Sequence, residues 1–187
     1  SFNVVDKLRI KGRHNLYNVM AAVLAAKLAG LDDNNIHHGL LTFNGLSHRI
    51  ESLGIIDGIH FYNDSISTVP QATIEAIKTL GDVSYLIIGG YDRGIDYEYL
   101  VSYLSSLNIK SIMLMGPAGK RMWSLFSVYD HKPVILKVKN LKEAVHYVKQ
   151  QAKNGDKCLL SPAAASYDAF RNFEERGKMF EKYVRQG

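Results

Sequence analysis

The chain has 187 residues, 47% of them hydrophobic, and its 23 Lys and Arg against 18 Asp and Glu give a net charge of +5. That is too apolar for a disordered chain and long enough for one sizeable core or for one domain with an appendage. No apolar run approaches the roughly 20 residues that cross a bilayer, no signal-peptide pattern opens the chain, and the positive charge is scattered, so neither a membrane nor a nucleic acid is an expected partner.

The chain opens Ser-Phe without an initiator Met, and its first strand-like segment, Asn3 to Ile10, has no obvious partner, as expected of a fragment whose upstream part is missing. From Asn15 to Ala29, the residues Leu16, Val19, Met20, Val23, Leu24 and Leu28 recur at helical spacing and are expected on one face, with Gly30 closing the helix. A second helix is expected over about Asn34 to Phe43, and Gly45 marks a junction.

From Ile50 onward strands alternate with helices. Ile55-Ile56 and Ile59 to Phe61, on either side of Asp57-Gly58, predict a hairpin with a type I′ turn. The second strand ends in a polar run, Asn63-Asp64-Ser65-Ile66-Ser67-Thr68. Pro70 suits a first helical turn, and Thr68 with Gln71 fits a capping box for a helix carrying Ile74 and Ile77. Tyr85 to Ile88 is a buried strand ending in Gly89-Gly90-Tyr91-Asp92-Arg93-Gly94, followed by a helix from about Tyr97 to Leu107. Next come a strand from Ser111 to Met115, a helix opened by Gly116-Pro117-Ala118-Gly119 and ending at Phe126, and a strand from Val134 to Val138. A helix from Leu141 to Ala152, a strand from Lys157 to Leu160 and a helix from about Tyr167 to Val184 complete the chain. The lone Cys158, in an apolar strand pattern, fits a reducing, cytoplasmic setting. The order predicts an α/β fold, a doubly wound, mostly parallel Rossmann-like sheet with an N-terminal hairpin, preceded by a small helical remnant.

Ligands of such sheets gather at the carboxyl ends of the strands, which singles out the polar turn after Asn63 and the pair Asp92-Arg93. Singly, the motifs are weak. Gly116 to Lys120 lacks P-loop spacing, and Gly89 to Gly94 is not a dinucleotide fingerprint. Asn15 and Asn18 share one side of a helix start and read alone as an N-cap and a surface amide. Arg49 reads alone as a surface residue. His37 and His38, adjacent on a helix, point apart, and no metal site is expected in this chain.

The order of the pieces is more specific. Gly12-Arg13-His14-Asn15-Leu16-Tyr17-Asn18 resembles the G-x-H-N-x-x-N signature of the Mur ligases, the ATP-dependent amide-forming enzymes of peptidoglycan assembly. His48-Arg49 resembles the family's Arg at the start of its third domain, and Asn63-Asp64-Ser65 its next acidic motif. Leu160-Ser161-Pro162-Ala163-Ala164-Ala165-Ser166-Tyr167-Asp168, followed by Phe170, Asn172-Phe173 and Glu175-Arg176-Gly177, is similar to the closing signature of the branch that adds D-glutamate. Gly89-Gly90 through Arg93-Gly94 fits a turn of that branch.

The resemblance implies that residues 1–45 are the tail of a central ATP-binding domain and residues 46–187 a C-terminal domain for nucleotide and D-glutamate. It implies that ATP phosphorylates the carboxylate of UDP-N-acetylmuramoyl-L-alanine and that the amine of D-glutamate displaces phosphate. By position, Asn15 and Asn18 then meet the adenine, Asp64 the ribose hydroxyls and Arg49, as the catalytic cation, the phosphates. Thr68, Arg93, Ser166 and Phe173 hold D-glutamate. The family's P-loop, Mg2+ ligand and carbamylated Lys belong to upstream domains, so the fragment is expected to be inactive alone. Ile66 and Arg93 each stand where the family commonly has Lys, and Val69 and Ala164 replace the commoner Asn and Cys. A related ligase adding another amino acid, or a non-catalytic nucleotide-binding module, are the alternatives.

Overall fold

The computed structural model describes residues 7–10, 12–130 and 133–186, and the chain divides into two compact units between Leu46 and Ser47. The expected strand from Asn3 to Ile10 lies partly outside these residues, and its described part, 7–10, is not a strand.

The first unit is a pair of helices, α1 (Arg13–Leu28) and α2 (Asp33–Thr42). Asp32 caps α2 by accepting the amides of Asn34 and Asn35, and Gly30 takes the left-handed φ of 84° that ends α1. The apolar residues of α1 do not share one face as expected. Val19 and Val23 line a groove of about 420 Å³ with Ile36 and Leu40, whereas Met20, Leu24 and Leu28 are 66%, 61% and 82% exposed. At about 100° per residue, Val19 and Leu28 stand on opposite sides of the helix, so one neighbouring helix cannot cover both.

The second unit is built on a six-stranded sheet of β1 (Glu51–Ile56), β2 (Ile59–Asn63), β3 (Tyr85–Gly89), β4 (Ser111–Met115), β5 (Val134–Lys137) and β6 (Lys157–Leu160), in the order β1-β2-β6-β3-β4-β5. All neighbours are parallel except β1 and β2, the predicted hairpin, whose Asp57 and Gly58 both have left-handed φ, 53° and 79°. The intervening helices are α3 (Pro70–Leu80), α4 (Glu98–Ser105), α5 (Gly116–Phe126), α6 (Leu141–Gln151) and α7 (Phe173–Arg185).

Strand periodicity assigns the two faces. Leu86 and Ile88 of β3 pack with Ile74, Leu100 and Met122 from α3, α4 and α5, while Tyr85 and Ile87 pack with Val148 and Phe180 from α6 and α7. Helices on both faces make the sheet doubly wound, as predicted. Among the described residues no helix is long and apolar enough to cross a membrane.

Two helix starts differ from expectation. The N-cap of α3 is Val69, without a side-chain cap, so Thr68 and Gln71 form no capping box; the Thr68 carbonyl instead accepts a hydrogen bond from Arg93. The last helix begins at Phe173, six residues late, because Asn172 caps it through the amide of Glu175 and the Ala165 carbonyl upstream is taken by the amide of Tyr91.

Candidate functional site

Three loops of the second unit leave the carboxyl edge of the sheet: 64–69 after β2, 90–97 after β3 and 161–172 after β6. They meet on Arg176 of α7, which is wholly buried. Its Nε donates to Ser65 Oγ at 3.0 Å, Nη2 to the Ser65 carbonyl at 2.8 Å and Nη1 to the Ala164 carbonyl at 3.0 Å. Burial lowers its pKa to about 10, partly opposed by the charge of Asp168, so it stays a cation near neutral pH. The guanidinium thus ties the first and third loops through neutral acceptors, of which the Ser65 and Ala164 carbonyls would be left without a donor in its absence. The sequence places it in the Glu175-Arg176-Gly177 signature without a role, although a signal for one is present: a charge on the apolar stripe Phe173, Arg176, Phe180, Val184.

The middle loop joins them at Gly90. Tyr91 donates its amide to the Ala165 carbonyl at 2.9 Å, and a Cβ on Gly90 would lie 2.3 Å from that oxygen and 3.2 Å from Arg176 Nη1. With φ at +144° as well, only glycine fits this crossing.

Arg49 is exposed between two left-handed residues, His48 with φ 63° and Ile50 with φ 47°. For a β-branched residue such as Ile50 that conformation costs about 1–3 kcal/mol and must be over-determined by its surroundings. His48 donates its amide to Glu51 Oε2 at 2.7 Å, its carbonyl accepts the Ile66 amide at 3.1 Å, and Ile50 donates its amide to Asp64 Oδ1 at 3.1 Å. The His48 ring is buried edge-on against Phe173, with Nδ1 2.9 Å from Asn63 Nδ2, which also donates to the Gly177 carbonyl at 3.1 Å. A Cβ on Gly177 would stand 2.3 Å from His48 Nδ1. The Arg49 segment is therefore braced by β2 and α7.

Asp64 is 1% exposed. Besides Ile50, it accepts from Ser161 Oγ at 2.7 Å, and Ser161 in turn meets Thr73 Oγ1 at 3.0 Å. Burial raises its pKa to about 6, against the hydrogen bonds of Ser67, Ser161 and Ile50 and the charge of Arg49.

Of the residues expected at D-glutamate, Thr68, Arg93 and Ser166 fall on these loops and Phe173 opens α7. Arg93, exposed, donates from Nη2 to the Thr68 carbonyl at 2.8 Å, bringing the first and middle loops together at their tips. Ser166 is 3% exposed, next to the Ala165 crossing, and the Phe173 carbonyl accepts from Ser65 Oγ at 2.8 Å. Asn15 and Asn18 belong to the first unit, where Asn18 Nδ2 donates to Asn15 Oδ1 at 3.4 Å. Among the described residues no three His, Cys, Asp or Glu are grouped to hold a metal ion.

No family model matches the chain. It is 42% identical over 181 residues, 96% of its length, to a UDP-N-acetylmuramoylalanine--D-glutamate ligase of Thermoanaerobacter sp. (strain X514), and covers 40% of that relative. The ligase of the same name from Bacteroides thetaiotaomicron is 35% identical over 181 residues, 97% of this chain and 40% of the relative. The chain thus spans about 40% of the length of the curated relatives it matches. Among solved structures it is similar to the UDP-N-acetylmuramate-alanine ligase MurC of Thermotoga maritima, with a TM-score of 0.68 at 16% identity over 96% of this chain and 40% of that one. The Mycobacterium tuberculosis folylpolyglutamate synthase complexed with ADP has a TM-score of 0.67 at 14% identity over 96% of this chain and 42% of that one. These two likenesses show the fold, and the identity to the curated ligases, carried over 96–97% of this chain, makes it similar in sequence as well to the corresponding 40% of their length.

Proposed function

We propose that this chain is the C-terminal part of an ATP-dependent, cytoplasmic ligase that adds D-glutamate to UDP-N-acetylmuramoyl-L-alanine in peptidoglycan synthesis. The observation that supports the reading is the convergence of the loops bearing Thr68, Arg93 and Ser166 on Arg176 and Gly90, beside Phe173 at the start of α7. At that rim the Arg93 guanidinium offers a paired donor to a carboxylate, the hydroxyls of Thr68 and Ser166 donate to it, and the Phe173 ring walls the methylenes.

The nucleotide reading is made for each unit by itself. The amides of Asn15 and Asn18 offer a donor and an acceptor to a base edge, and Asp64 offers the ribose hydroxyls the lone pairs that Ile50, Ser67 and Ser161 leave over. ATP supplies the phosphoryl group that activates the acceptor carboxylate. Arg49, held out by its two left-handed neighbours, is the charge set against the phosphates. Mg2+ ligands and a P-loop are assigned to the rest of the enzyme, outside this chain.

With this chain as part of the full-length ligase, Arg93→Ala is expected to raise the D-glutamate KM at least tenfold and leave the ATP KM unchanged, a loss of about 1.4 kcal/mol or more. An unchanged D-glutamate KM would reject the assignment, and turnover with another amino acid at higher kcat/KM would redirect it within the family.

A further inference from the structure

Arg121 of α5 lies in none of the three loops, yet it grips the middle one. Its Nη1 pairs with Asp92 Oδ1, its Nη2 donates to the Ile95 carbonyl at 2.6 Å, and its guanidinium lies 5.3 Å from the centre of the Tyr97 ring. Asp92 Oδ1 also accepts the amide of Gly94 at 2.9 Å, closing a turn with Arg93 in its middle. The three points that Arg121 holds, at 92, 95 and 97, therefore bracket Arg93.

The segment 92–96 is in neither helix nor strand, and its ends are fixed by the Tyr91 bridge to Ala165 and by the start of α4. Arg121, by contrast, projects from a helix whose Ala118, Met122 and Phe126 are buried against the sheet. Tyr97 is itself fully buried, with a hydroxyl that has no hydrogen-bond partner among the described residues, so its ring is placed by packing and by the guanidinium above it. Contact with a carboxylate, a carbonyl and a ring face at once requires a planar group with two separated donors, which a Lys ammonium does not supply.

We infer that Arg121 is a positioning residue for the acidic amino-acid substrate: it holds the turn 92–95 so that the Arg93 guanidinium stands ready beside Thr68. The inference rests on the reading of Arg93 as the carboxylate anchor. Without Arg121 the turn must be ordered by the ligand itself, which weakens binding without touching the reacting atoms.

The test uses the full-length ligase carrying this chain. Arg121→Met is expected to raise the D-glutamate KM about five- to tenfold with kcat and the ATP KM unchanged, and Arg121→Lys to recover part of the loss. Arg121 is 41% exposed at its side chain, so the variants are expected to fold, which a thermal melt checks. In this chain alone, 15N relaxation of Arg121→Met is expected to show lower order at the amides of Arg93 and Gly94 and none at Leu86 or Ile88. Unchanged order at Arg93, or an unchanged D-glutamate KM in a ligase where Arg93→Ala does raise it, overturns the role of Arg121 alone. An Arg93→Ala variant with unchanged KM overturns the anchor and the inference together.

Discussion

The two units handle their apolar residues in opposite ways. In the second, the sheet is covered on both faces and its central strand residues Leu86, Ile87 and Ile88 are wholly buried. In the first, Tyr17, Met20, Leu24 and Leu28 of α1 are all more than half exposed. A helix pair has one mutual interface, whereas a sheet has two, so only the second unit can bury apolar residues pointing both ways. The difference teaches where polar side chains can be made to carry structure. Where burial is complete, Arg176, Asn63, Asp64 and Ser161 can serve as interior ties, because water does not compete for their hydrogen bonds.

The sharpest way to break that comparison is to remove the central tie. Arg176→Met is expected to destabilise the second unit by about 3–5 kcal/mol, because it leaves the carbonyls of Ser65 and Ala164 buried without donors. Chemical denaturation with an unchanged m-value would read it, and a loss below about 1 kcal/mol would mean the three loops hold together without the guanidinium.

Gly177→Ala probes the contact between α7 and His48. Its Cβ would lie 2.3 Å from the His48 ring, so a loss of about 2–3 kcal/mol in thermal unfolding is expected. The companion variant His48→Ala, Gly177→Ala should recover part of it, since the clash is gone.

Asp64 gives a test by pH. Its folded pKa, about 6, is above the ordinary 3.8, so folding favours the protonated carboxyl. Its contribution is therefore fully present below about pH 4 and is lost as pH rises through 6, about 2 kcal/mol in all between pH 4 and pH 7. Asp64→Asn should flatten that part of the stability curve relative to the unsubstituted chain. The same slope in both proteins would place the titration elsewhere.

The smallest effect is expected in the first unit. Leu24→Gln, at a site 61% exposed, should change the stability of this chain by less than about 0.5 kcal/mol. A larger loss would show that the outer face of α1 is covered in solution.

Much of this could be read in the sequence because its signals are local. The Asp57-Gly58 turn and the apolar runs of β3, β4 and β6 each depend on residues a few positions apart. The start of α7 is not legible in this way, because the stretch from Ser161 to Arg171 has helix-compatible residues but spends its backbone on Tyr91, far away in sequence, and on Arg176 of the helix that follows. The apolar face of α1 was misread for a related reason: periodicity states which residues are apolar, not how many neighbours exist to cover them.

By itself the sequence determined the alternation of strand and helix, the hairpin and the residues available at the strand ends, since those follow from turn chemistry and side-chain period. Only the tertiary structure decided that Arg93 bonds to Thr68, that Arg176 joins Ser65 to Ala164 and that Arg121 brackets the turn between Asp92 and Tyr97. Those ties connect residues 12 to more than 100 positions apart, and the pairing of donors and acceptors over the longer spans is set by how the sheet orders its strands.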